Sequence, residues 1–235
     1  MSARTLSKGW SIRYSLWRWG KTGAPKHEAR NGFDLSSSRI CFITPSSHIS
    51  AGLLQTVRLI LESGIRWVQY REKGKTRRDI FFEALKLREI TRTFNACLII
   101  NDYADIAVAV DADGVHLGQD DLPLKEAKKI MGNRIIGIST HSVQEALEAE
   151  KDGADYIGFG SVFHTTTKEV GAPKGLAALK IVCNAVRIPV VGIGGIKPDN
   201  AQQVFETGCA GVAVSSGLLE GDIKKNAAIF LSVAS

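Results

Sequence analysis

From Arg39 onward the chain alternates eight times between a short apolar run and a longer amphipathic segment. The runs are ICFIT (40–44), WVQY (67–70), CLII (97–100), GVHL (114–117), IIGIS (135–139), YIGFG (156–160), VVGIG (190–194) and GVAV (211–214). Strands buried on both faces read this way, and such strands run parallel under a cover of helices. Between the runs lie helical patterns such as SAGLLQTVRLILES, TRRDIFFEALKLREITRTF, PLKEAKKI, SVQEALEAEKDG, GLAALKIVCNAV and PDNAQQVFETG, and DIKKNAAIFLSVA follows the last run. IAVAVDADGVHL reads as a short helix entering the fourth strand. Eight β-α units predict an α/β fold, a single-domain (βα)8 TIM barrel over residues 39–235. An open doubly wound sheet is the rival, and the absence of GxGxxG after the first run counts against it.

Local punctuation agrees with these units. Pro123 and Pro198 fall where a first helical turn tolerates proline. Ser142, with Glu145 three residues on, reads as a capping box. Gly64, Gly153 and Gly208 follow helix ends, where a left-handed residue is wanted.

The formal charge is +6, and residues 1–39 account for it with eight basic and two acidic side chains. The folded body is therefore neutral overall, so the basic balance does not point to nucleic acid. Residues 1–38 also hold Trp10, Trp17 and Trp19 and show no period. That composition suits an organelle transit peptide, a flexible extension or an upstream start codon, and it lacks the apolar core of a secretory signal. No apolar run approaches the ~20 residues of a membrane helix. Cys41, Cys97, Cys183 and Cys209 form no CxxC pair, which favours buried reduced thiols and a cytoplasmic location.

In a barrel the chemistry sits at the C-terminal ends of the strands. Gln69, Arg71 and Lys73 share one side after the second run by alternation. Asn101 and Asp102 follow the third, and Gln119, Asp120 and Asp121 the fourth. Ser139 and His141 follow the fifth, and HTTTK (164–168) the sixth. The seventh ends in GIGGI (192–196) and the eighth in SSG (215–217). Consecutive strands are neighbours, so Asp102 and Asp121 meet on one rim and need a cation between them. Mg²⁺ takes oxygen ligands, often one or two carboxylates plus a substrate phosphate. Arg71, Lys73 and Lys168 suit phosphate oxygens, and the glycine and serine turns expose main-chain N–H groups. The combination predicts a site for a diphosphate with Mg²⁺ and for a second, separate phosphate. Singly, each feature has a plainer reading: Asp120 as a turn or cap, His116 as a satisfied barrel-interior residue, GIGGI as a packing turn.

QYREK, IND, DGVHLGQDD, GIS-x-H, YIGFGSVF followed by TTTK, VVGIGGI and GVAVSSG occur in order. This series resembles the thiamine phosphate synthase family over roughly residues 39–233. The resemblance implies coupling of an aminopyrimidine methyl diphosphate to a thiazole phosphate, with Mg²⁺ as cofactor. It places Gln69, Arg71, Lys73 and Asn101 on the pyrimidine diphosphate, and Asp102 and Asp121 on the metal. Ser139 and Lys168 complete that side, while Thr165, Thr167, Gly195, Ser215 and Ser216 take the thiazole phosphate. Lys168, Arg71 and Ser139 are the expected catalytic groups. The partners implied are these small molecules and a possible second copy of the chain, with no nucleic acid and no membrane.

Two positions depart from the family pattern. Tyr103 stands where arginine is usual, and His164 where proline is usual. Three rival readings use the same fold. A thiazole tautomerase would use His141 as proton shuttle, a regulator would bind thiamine phosphate without turnover, and a sugar-phosphate isomerase would need a glutamate or lysine base at a strand end. Asp102, Asp121, Gln69 and Lys168 argue against the first.

Overall fold

Strand residues sort by parity, one set facing the helices and the other the barrel axis. The computed structural model describes residues 38–46, 52–165 and 172–235. Its strands are β1 (Ile40–Ile43), β2 (Trp67–Tyr70), β3 (Cys97–Asn101), β4 (Gly114–Leu117), β5 (Ile135–Thr140), β6 (Tyr156–Gly160), β7 (Val190–Ile193) and β8 (Gly211–Val214). All are parallel and close in sequence order, β8 returning to β1 with Ala213 opposite Cys41. The helices are α1 (Leu53–Glu62), α2 (Arg77–Thr93), α3 (Ala104–Ala109), α4 (Leu124–Met131), α5 (Val143–Asp152), α6 (Gly175–Ala185), α7 (Ala201–Phe205), α8 (Ser216–Leu219) and α9 (Ile223–Val233). The predicted (βα)8 barrel is the observed fold, and each predicted run ends within one residue of its strand. Residues 1–37 of the expected extension lie outside the described residues.

Outward residues such as Phe42, Val68, Leu98, Ile136, Ile157 and Val212 pack with Val57, Leu87, Val182 and Phe230 in the larger core cluster. Full burial of a side chain of this kind stabilises by about 1.5–3 kcal/mol, so most of the fold's cohesion lies between sheet and helices. The inward cluster is smaller: Cys41, Trp67, Cys97, Ile135, Tyr156 and Val191 are among its members. Trp67 and Tyr156 meet edge to face, with ring centroids 5.2 Å apart. Two glycines make room for the rings. A Cβ on Gly137 would lie 2.1 Å from Tyr156 Cζ, and one on Gly158 would lie 3.2 Å from His116 Cε1. Toward the strand ends the inward positions turn polar, with Gln69, Asn101, His116 and Ser139. The barrel is thus apolar at its base and polar at its mouth.

Arg39 locks the start of the barrel to its end. Its guanidinium donates to the carbonyls of Ala210 (3.0 Å), Cys209 (3.3 Å) and Ala234 (2.8 Å) and lies 4.5 Å from the centre of the Phe205 ring. Gly64, Gly153 and Gly208 have φ of 101°, 83° and 91°, as their positions after helix ends required. The Ser142 hydroxyl accepts from Glu145 N (3.1 Å), but the glutamate reaches back to His141 N (2.8 Å) instead of Ser142. Pro123 does precede the first turn of α4. Pro198 does not enter a helix: α7 starts only at Ala201, after a turn in which Lys197 N donates to the Asn200 side chain at 2.8 Å. Among the described residues no helix is long and apolar enough to cross a membrane. The four cysteines are free thiols, three of them buried.

Candidate active site

Two acidic residues meet where β3 and β4 end. Asp102 takes the left-handed conformation (φ 67°), a backbone cost that aspartate tolerates better than most residues. Its N–H donates to His116 O at 2.8 Å, which ties the turn to β4. Asp121 is held by its own loop, its carboxylate accepting from Gly118 N at 2.6 Å. The two carboxyl groups act on each other, and Lys73 ion-pairs with Asp102. Burial pushes the Asp102 carboxyl above the usual range, Lys73 opposes the shift, and Asp121 adds to it. Among the described residues no third acidic, histidine or cysteine side chain completes a metal cluster. This donor set fits Mg²⁺ as a site that supplies two carboxylates and leaves the other positions to water and a ligand's phosphate.

Beside this cluster a cavity of about 130 Å³ opens at the mouth, with Arg71, Ser139, His141, Thr165, Gly195, Ser215 and Ser216 among its lining residues. Arg71 is braced by β1's end: Thr44 Oγ1 accepts from Arg71 N (2.9 Å) and donates to Arg71 O (3.0 Å), and the guanidinium donates to Ser46 Oγ (3.0 Å). The far wall is main chain. Gly194 and Gly195 have φ of 99° and 63°, and a Cβ on either would collide, with Ser161 Cβ at 2.5 Å and with His164 O at 2.3 Å. Only glycine fits this double turn. The Ser215 hydroxyl is buried with no hydrogen-bond partner among the described residues. A polar atom so placed at a cavity wall is what a ligand's phosphate would satisfy. The main-chain turn expected after β8 contains a short helix, α8, set close against β7's exit: a Cβ on Gly217 would meet Ile196 O at 2.3 Å.

The predicted residues fall into three groups. Arg71, Ser139, Thr165, Gly195, Ser215 and Ser216 share the cavity. Lys73, Asp102 and Asp121 form the charged cluster. Asn101 is buried at the end of β3, and Gln69 lies deeper than expected, lining a small inner void of about 10 Å³ instead of the open mouth. Thr167 and Lys168 lie outside the described residues. Sequence reasoning missed Thr44 as a brace and gave no role to Gln119, whose Nε2 donates to Ser139 O at 2.6 Å. Thr44 belongs to the first apolar run, and its polarity was the available signal. His141 lines the cavity with Nδ1 against Glu145 Oε2 at 3.1 Å. Tyr103 does not leave its corner without a cation: the Arg77 guanidinium lies 5.0 Å from its ring centre and ion-pairs with Asp105. His164 is exposed.

A (βα)8 barrel with an acid pair, braced guanidinium and glycine-built turns at its strand ends has the equipment of an enzyme acting on phosphorylated small molecules. The residues matched by a family model for thiamine monophosphate synthase, 40–218, span almost the whole of that barrel. The chain belongs to this family. It is 46% identical over 183 residues to the thiamine-phosphate synthase of Clostridium acetobutylicum, covering 77% of this chain and 87% of that one. With the thiamine-phosphate synthase of Methanosarcina mazei it shares 41% over 221 residues, 91% of this chain and 92% of the relative. The solved thiamine phosphate pyrophosphorylase from Pyrococcus furiosus superposes with a TM-score of 0.78 at 40% identity, covering 85% of this chain and 96% of that chain.

Proposed function

We infer that this chain is a transferase that joins 4-amino-2-methyl-5-pyrimidinylmethyl diphosphate to 4-methyl-5-(2-phosphooxyethyl)thiazole, giving thiamine phosphate and diphosphate. The observation that carries the reading is the division of the mouth: a carboxylate pair with lysine on one side, and glycine and serine turns on the other. One diphosphate and one monophosphate need that pair of environments. Asp102 and Asp121 would hold Mg²⁺, which when bound neutralises charge on the departing diphosphate. Arg71 and Lys73 add positive charge there, and Lys73 turns from Asp102 to the diphosphate as ligand enters. Lys168 is assigned to the same leaving group, and Gln69 and Asn101 to the pyrimidine. Thr165, Thr167, Gly195, Ser215 and Ser216 hold the thiazole phosphate.

The methylene C–O bond breaks with both electrons going to diphosphate, and the electron-rich pyrimidine carries the cation left behind. The thiazole nitrogen then supplies the pair for the new C–N bond. No protein nucleophile is needed; alignment and electrostatics are the protein's task. Ile43, Ile193 and Val214 on the cavity wall limit the water that would trap the cation. A cytoplasmic site of action suits the four free thiols. The catalytic unit is assigned to residues 39–235, where Arg39 clamps the start of the barrel to its end, and residues 1–38 to a dispensable extension.

The test is diphosphate release with both substrates, with Mg²⁺ present or chelated, on the full chain and on residues 39–235. The expected result is release that needs both the thiazole phosphate and Mg²⁺, with thiamine phosphate in equal amount from either chain. Binding of thiazole phosphate without release would reject the transferase reading and favour a tautomerase or a binding protein.

A further inference from the structure

Three polar side chains are linked through the barrel interior beneath the cavity, from β6 through β4 to β5. Tyr156 OH lies 2.9 Å from His116 Nδ1, and His116 Nε2 lies 2.9 Å from Ser139 Oγ. His116 and Tyr156 are both buried. Gly137 and Gly158 admit the two rings, since a Cβ at either would press on them. Two strand glycines, which weaken a sheet, therefore stand where they let a tyrosine and a histidine reach the axis.

The direction of the chain follows from its members. Burial drives the Tyr156 phenol well up in pKa, so it keeps its proton. A buried O–H needs an acceptor, and His116 Nδ1 lies 2.9 Å away, so the phenol donates there. A neutral imidazole has one acceptor and one donor, so Nε2–H donates to Ser139 Oγ. With Ser139 Oγ already accepting, its O–H is left to donate into the cavity. Gln119 holds the Ser139 carbonyl from the other side at 2.6 Å.

We propose that His116 and Tyr156 are positioning residues for the transfer: they run a one-way hydrogen-bond relay that presents the Ser139 hydroxyl to the substrate as a donor. The opposite polarity would offer the lone pairs of Ser139 to an anionic oxygen and repel it. This inference rests on the assignment of Ser139 to the diphosphate side.

A double-mutant cycle on the full chain tests it, with Tyr156→Phe, Ser139→Ala and the pair, reading kcat and the KM for each substrate. Tyr156→Phe should lower kcat about tenfold, the scale of one misdirected hydrogen bond to a charged group, with the KM for thiazole phosphate held. In the Ser139→Ala background the same change should have no further effect. A loss of equal size in that background, or no loss in the native chain, overturns the relay. Normal turnover of Ser139→Ala alone overturns the underlying assignment, a different signature. A second pair guards against misfolding: His116→Gln, whose amide N–H replaces Nε2–H, should retain several-fold more turnover than His116→Leu at matched thermal stability. Equal losses in the two would mean that His116 only fills space.

Discussion

The two sides of the barrel mouth are built on opposite principles. At the ends of β2, β3 and β4 the site is made of charged side chains that neutralise one another, Lys73 being 49% exposed and Asp102 11%. At the ends of β7 and β8 it is made of main chain, held by glycines for which no other residue has room. The first side is adjustable: its ion pair must open before a metal and a diphosphate can enter, and Asp102 and Asp121 press on each other until then. The second is preformed, so its N–H groups need no reorganisation when a phosphate arrives. A reaction that expels a highly charged group while keeping a second phosphate still has use for both.

Asp121→Ala should break the adjustable side. It removes half of the carboxylate pair and the anchor on Gly118 N, so turnover should fall by about 10²–10³-fold. Thiazole phosphate affinity, measured by calorimetry without the other substrate, should stay within about twofold, because the preformed side is untouched. A parallel loss of both would mean that the two sides are one unit. Gly195→Ala is the converse. Its methyl has no space beside His164 O and sits at φ 63°, so strain of about 1–3 kcal/mol is expected. The KM for thiazole phosphate should rise about tenfold while the Mg²⁺ concentration for half-maximal rate stays put. A shift in the Mg²⁺ requirement would refute the division.

The sequence displays these two principles unequally. The eight runs announce the barrel because a strand buried on both faces has few ways to be written, and the fold follows from counting them. The glycine side was legible for a related reason: GIGGI and SSG at strand ends are turns whose residue types state their geometry. The carboxylate pair was legible only through the barrel, since Asp102 and Asp121 become neighbours when β3 and β4 do. Gln69 was read as a mouth residue because alternation gives the face of a residue but not its depth along the axis. His116 was read as a satisfied interior residue, and it is one. Its two partners lie 23 and 40 residues away, and no local pattern shows that one of them is Ser139. Tyr103 stands where the family pattern has arginine, and no local pattern shows that a cation comes instead from Arg77, at the start of α2.

The smallest expected effect sharpens the contrast by separating stability from activity. Burial, with Asp121 adding to it, holds the Asp102 carboxyl above its ordinary value of 3.8 in the folded protein, Lys73 opposing. Below that value both folded and unfolded chains are protonated at this position, and the group costs nothing. As pH rises the unfolded chain releases its proton first, so the folded state loses stability until its own raised pKa is passed, and the deficit then stays constant. Asp102→Asn removes this burden and suits the left-handed backbone at least as well as aspartate. Without Mg²⁺ the variant should match the native chain near the acid end of its stable range and melt about 1–3 °C higher at neutral pH. Saturating Mg²⁺ and diphosphate should reverse the order, because a ligand bound only by the folded native chain stabilises it alone. Should the native chain instead gain on the variant as pH rises without metal, the Lys73 pair outweighs burial, and the acid side is as preformed as the glycine side.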